Sequence, residues 1–224
     1  MAFVTARFVG GAVVALSIVA GSASADVIST FGFTDLDGSY IPSSPLAGMF
    51  QADAGLITGG DVTRNAAPGG TAQFDTGFIS LATAADVQIT LTVNKTSATE
   101  ATGVGTLVVT DVDGDTLTAD IAGLWQTPGF GVVFFSGLMG NVYFNDNGAA
   151  DGTFDGISGS FDMDLPGNPP YVGAFSQLYI RFGGGFFTSM FSGQTVSADG
   201  QIVPAPGALA LVGLAGLVAR RRRA

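Results

Sequence analysis

Val87-Gln88-Ile89-Thr90-Leu91-Thr92-Val93-Asn94 alternates apolar and polar residues without a break. Successive side chains of a β-strand point to opposite faces, so this stretch buries Val87, Ile89, Leu91 and Val93 and leaves the residues between them in water. Working outward, residues 97–102 read as a loop and residues 105–110 as an antiparallel partner strand. Asp111-Val112-Asp113-Gly114-Asp115 reads as a turn into a strand over 116–122, where Leu117, Ala119 and Ile121 share a face. Residues 132–136 and 138–144 are strand-like, with Gly137 between them as a bulge or tight bend, and further strands follow at 156–163, 174–182, 186–191 and 195–202. Residues 35–72, with Pro42, Pro45 and Pro68, read as long loops around short strands. No stretch combines helical spacing with a cap. Many short strands separated by glycine-rich turns imply an all-β antiparallel domain, either a two-sheet, jelly-roll-like sandwich or a barrel. Both arrangements hide the edge hydrogen-bonding groups that otherwise recruit other chains.

The chain has eighteen phenylalanines, and Phe130, Phe134, Phe135, Phe144, Phe154, Phe161, Phe175, Phe182, Phe186, Phe187 and Phe191 crowd its C-terminal half. They read as filling between packed strands. Trp125, with Tyr143, Tyr171 and Tyr179, has two readings. An exposed indole beside the turn-prone Gln126-Thr127-Pro128-Gly129 can stack on a sugar ring, whereas a buried one is an amphipathic residue at the edge of the core.

Composition narrows the chemistry. Residues 26–202 are one domain's worth of chain. All eighteen acidic residues fall there against Arg64, Lys95 and Arg181, which leaves a formal charge of −15, whereas the whole chain carries −10. Such acidity argues against nucleic acid as a partner, since phosphates would be repelled. The absence of cysteine leaves the core without disulfides. The absence of histidine removes the commonest general base and transition-metal ligand, and with them every histidine-dependent triad. Lys95 is the only lysine and Glu100 the only glutamate. No serine–lysine pair, phosphate-cradling loop or recognisable catalytic carboxylate pair appears. The chain reads as non-enzymatic, with a β-sandwich glycoside hydrolase using aspartates as a remote alternative.

Two acidic loops form the candidate site. Asp111, Asp113 and Asp115 stand at alternate positions, and Asn145, Asp146, Asn147, Asp151 and Asp155 cluster downstream. Calcium takes six to eight oxygen ligands, which such loops can supply. The pattern is not an EF-hand, because Thr116 stands where glycine is required and Ala122 where glutamate closes the loop. Asp, Asn and Gly are also the ordinary residues of β-turns, so Asp111, Asp113, Asp115, Asp146, Asp151 and Asp155 read either as solvated turns or as a calcium site. Asp35-Leu36-Asp37-Gly38 is a third acidic turn of the same kind. The calcium reading leads to a calcium-dependent carbohydrate-binding module.

The two ends read as addresses. Arg7, an apolar stretch over 8–20 and the small-x-small Ala23-Ser24-Ala25 form a signal peptide over 1–25 with cleavage before Asp26. At the other end Val203, Pro204, Ala205, Pro206 and Gly207 precede an apolar run, and Arg220, Arg221, Arg222 and Arg223 follow it. The thirteen residues from Gly207 to Ala219 are short for a permanent span, which needs about 20. A basic end next to an apolar segment stays in the cytoplasm. Residues 203–224 resemble the PEP-CTERM sorting signal of exported proteins from Gram-negative bacteria that make exopolysaccharide, with Ala205 where that family has glutamate. The resemblance implies an exosortase-type membrane enzyme as partner, a short C-terminal hydrophobic helix as transient inner-membrane anchor, and delivery to the cell surface or extracellular matrix. It covers the tail alone. The expected cargo is a structural or interaction protein of the envelope or biofilm, in contact with polysaccharide.

Overall fold

Strict alternation requires β5, Val87–Lys95, to lie between two neighbours with one face inward, and it does. The computed structural model describes residues 26–67, 69–75, 78, 86–129, 131–147, 154, 165, 169–181 (backbone only for 176–181) and 185–205. The strands are β1 Ser29–Ser44, β2 Ala47–Asp53, β3 Gly59–Arg64, β4 Gly70–Thr71, β5, β6 Glu100–Thr110, β7 Thr116–Gly129, β8 Val132–Asn145, β9 Tyr171–Arg181 and β10 Phe191–Val203. There is no α-helix among the described residues, and hence none long and apolar enough to cross a membrane.

All ten strands belong to one antiparallel sheet whose ends meet. The hydrogen-bonded order runs β10-β9-β8-β7-β6-β5-β2-β1-β3-β4, and β1 also pairs β10. Eight strands therefore close a ring, from β1 through β2 and β5–β10 back to β1, while β3 and β4 branch from the N-terminal half of β1. The closing seam runs from Ser29↔Ile202 to Tyr40↔Phe191. A ring of this size has an interior just wide enough for side chains to fill, and side chains fill it. Phe50 on β2 meets Trp125 on β7 across the interior at a centroid separation of 5.0 Å. Val87, Ile89, Leu91 and Val93 are fully buried, as the alternation requires, each worth roughly 1.5–3 kcal/mol of apolar burial.

Glycine makes room for the largest rings. Gly103, Gly123 and Gly137 stand side by side on β6, β7 and β8. A Cβ on Gly103 would lie 2.7 Å from both Trp125 Nε1 and Phe135 Cε2, and one on Gly123 would lie 2.9 Å from Phe135 Cζ. The indole and phenyl rings thus pack, tilted to each other, over a floor without side chains. Tyr40 covers Gly48 and Phe31 covers Gly200 in the same way.

Several boundaries differ from the sequence reading. Residues 35–72 hold the last ten residues of β1 together with β2, β3 and β4 rather than long loops. Pro42 is tolerated because pairing with β10 ends at Tyr40↔Phe191, so the proline lies where β1 has an open side. Residues 100–102 and 126–129 extend β6 and β7, because Glu100↔Gln126 and Gly129↔Val132 still pair. Strand β8 is continuous, and the irregularity at Gly137 survives as a register shift against β9. Phe186 and Phe187 form a turn instead of a strand. Phe187 (φ 47°) is buried, with its ring 4.8 Å from Tyr40 and 5.0 Å from Trp125. Phe31, Phe33, Phe50, Phe135, Phe154 and Phe175 are also buried, in agreement with the core reading of the phenylalanines. The expected strand at 156–163, the signal peptide and the C-terminal helix lie outside the described residues.

Replacement of Trp125 with alanine is expected to cost about 3–5 kcal/mol. Because Gly103→Ala intrudes on the same space, the two substitutions together should cost less than the sum of the single variants. Chemical denaturation of the four-member cycle measures this, and strict additivity would show that the ring does not rest on the glycine.

Candidate functional site: the acidic turns

The turn between β6 and β7 is built by its own carboxylates. Asp111 Oδ1 accepts the backbone N–H groups of Asp113 (3.1 Å) and Asp115 (2.9 Å). Gly114 takes φ +94°, the left-handed conformation that closes the turn at no steric cost. The amide of Val112 donates to Gln73 O at 2.9 Å, fixing the turn to the segment that follows β4.

Asp115 joins this turn to the second acidic loop. Its Oδ1 accepts the amide of Asn147 and its Oδ2 the amide of Phe154, both at 2.7 Å. The Asn147 side-chain amide donates to the backbone carbonyl of Asp113. Asp115 is buried, so its loss would orphan two amides at roughly 1–3 kcal/mol each. The two loops singled out in the sequence do meet, but through carboxylate-to-amide hydrogen bonds. Asp113 and Asp146 are exposed, and Asp151 and Asp155 lie outside the described residues. Among the described residues no three carboxylates converge where a metal ion could sit.

Among the described residues two buried aspartates keep an oxygen without a partner, Asp111 Oδ2 and Asp86 Oδ1. Asp86 precedes β5, and its Oδ2 accepts the amide of Asp75 at 3.1 Å. Burial raises the Asp111 carboxyl from 3.8 to about 7 and that of Asp86 to about 6. The amides they accept oppose the shift, while Asp115 and Asp113 reinforce it at Asp111 and Asp75 does so at Asp86. Sequence reading missed Asp86, since a single aspartate before a strand carries no pattern. Asp35-Leu36-Asp37-Gly38, read as a turn, is a bulge within β1, with Asp35 at φ 57° and Asp37 directly opposite Asp53.

A groove of about 290 Å³ lies between this bulge, the β2–β3 turn and the start of β10, with Asp35, Asp37, Leu56, Ile57 and Gln194 on its walls. Its described walls hold carboxylates, an amide and apolar side chains. Trp125 is fully buried against Phe50, Phe135 and Phe187. It therefore presents no face to a sugar, and the core reading of this residue holds. Val203 ends β10 and Pro204 follows it, whereas Pro206, Gly207 and Arg220–Arg223, like Ala23 and Ala25, fall outside the described residues. Comparison with protein-family models, curated proteins and solved structures finds no match to this chain.

The folded state holds the Asp111 and Asp86 protons more tightly than the unfolded chain does. Stability should therefore fall as pH rises from about 4 through about 7 and level off above. Asp111→Asn keeps the Oδ1 acceptor and removes the ionisation. Its melting temperature should change less between pH 5 and pH 8 than that of the unsubstituted protein. Parallel melting curves would show that Asp111 ionises normally. Calorimetric titration of the β-domain with calcium at pH 7 should give no heat and no rise in melting temperature, whereas a rise would assign the turns to the ion.

Proposed function

We propose that the chain is an exported cell-surface or extracellular-matrix protein with a structural or interaction role, sorted through its PEP-CTERM-like tail by an exosortase-type enzyme. The context is an exopolysaccharide matrix or biofilm, and the domain is not an enzyme. The observation that carries this reading is the position of Val203. It is the last residue of β10, paired with Val172, and also the first residue of the tail motif. The packed domain thus ends where the address begins, and a cut within Pro204–Gly207 releases it with every strand of the ring intact.

Use of the domain's chemistry supports a non-catalytic role. The ring interior is occupied by aromatic and aliphatic side chains. The buried carboxylates are engaged by backbone amides, Asp111 Oδ1 by those of its own turn and Asp115 by those of Asn147 and Phe154 in the neighbouring loop. A formal charge of −15 keeps an exported domain soluble and suits a hydrated matrix.

Intact mass of the protein recovered from membrane and medium fractions tests the assignment. A mature N-terminus at Asp26 and a released form ending within Pro204–Gly207 are expected. Retention of Arg220–Arg223 in both fractions would refute processing of the tail.

A further inference from the structure

We propose that the membrane-tethered form stands on the bilayer with its acidic end down, so that the surface around the Asp111–Asp115 turn meets the lipid headgroups and the β5–β6 hairpin points away. This inference rests on the tether proposed above and goes beyond it by assigning an orientation and a contact surface.

The orientation follows from the topology. In a ring with an even number of antiparallel strands, the chain enters and leaves at one end. Here Ser29↔Ile202 and Val203↔Val172 place both ends of the domain together. Strand β5 begins at this end, β6 finishes there at Thr110, β7 starts there at Thr116 and β8 finishes there at Asn145. The Asp111–Asp115 turn, Asp86 and Asp146 are therefore at the end from which both terminal segments depart. The opposite end carries residues 96–99, the turn at Pro45–Leu46 and the β7–β8 connection. Two of the domain's three basic residues, Lys95 and Arg181, lie there beside the single acid Glu100. The ring is thus electrically polarised along its length.

The leash is short. Val203 is paired, and only Pro204, Ala205, Pro206 and Gly207 separate it from the apolar run at Ala208. Four residues reach at most about 14 Å. The far end lies roughly 25 Å beyond the near one, given strands of this length and tilt. A body cannot turn over on a leash shorter than its own height. The acidic end is thereby held near the Debye length, about 8–10 Å, from the headgroups. An anionic surface pushes it to the limit of the leash and salt lets it settle.

The chain has no cysteine, so single probes are unambiguous. Asp113→Cys and Ser97→Cys occupy exposed positions at the two ends. Each full-length variant is labelled with a fluorophore and reconstituted into vesicles of phosphatidylethanolamine and phosphatidylglycerol bearing a paramagnetic headgroup quencher. Quenching should be several-fold stronger at Asp113→Cys than at Ser97→Cys and should rise with salt. A flexible insert of about ten Gly/Ser residues after Val203 should abolish the difference. Floating protein with equal quenching at both positions, or stronger quenching at Ser97→Cys, overturns the orientation alone. Full-length protein that fails to float with the vesicles overturns the tether and the orientation with it.

Discussion

Packing of large aromatic rings against strand glycines is the interaction on which the rest of this structure depends. An eight-strand ring has little interior to spare, and Trp125 and Phe135 fit because Gly103, Gly123 and Gly137 form a bare floor beneath them. A methyl group in that floor would overlap the rings, while a smaller ring above it would leave a void. Each side of the contact is therefore constrained by the other. The two residue types are coupled at Gly48, Gly103, Gly123, Gly137 and Gly200, where an aromatic ring takes the space of a Cβ. The same packing offsets the absence of disulfides, since a ring closed by hydrogen bonds needs a filled centre to hold its seam together.

Once the interior is filled, function is displaced to the surface and the ends. Acidic residues do two kinds of work there. Asp111 and Asp115 act as joinery, accepting backbone amides to build one turn and fasten it to the neighbouring loop. The others give the domain a charge concentrated toward the end where the chain enters and leaves. Both the shape of the domain and the proposed use of its tail follow from closure of β1 on β10, because that seam brings the termini together.

Much of the fold was legible in the sequence wherever one face is apolar and the other polar. Val87, Ile89, Leu91 and Val93 and the inward residues Leu117, Ala119, Ile121, Val196, Ala198 and Ile202 declare themselves by alternation, and all are buried. Alternation fails for β1, because its glycines, prolines and bulge at Asp35 interrupt the period although the backbone still pairs on both sides. It misleads at Phe186–Phe187, where an apolar pair plugs the ring instead of extending a strand. The acidic loops were legible as turns, but their mutual fastening was not. The amides of Asn147 and Phe154 reach Asp115 across 32 and 39 residues of chain. Backbone donors leave no mark in a side-chain pattern.

Closure is the central claim, and nuclear magnetic resonance of residues 26–205 tests it most directly. The account predicts cross-strand contacts between Thr30 and Gln201 and between Phe33 and Ala198, with amides along this seam exchanging as slowly as those of β5 and β6. Absence of these contacts, with rapid exchange in β10 beside a protected β5–β6 pair, would mean an open sheet and would contradict the account.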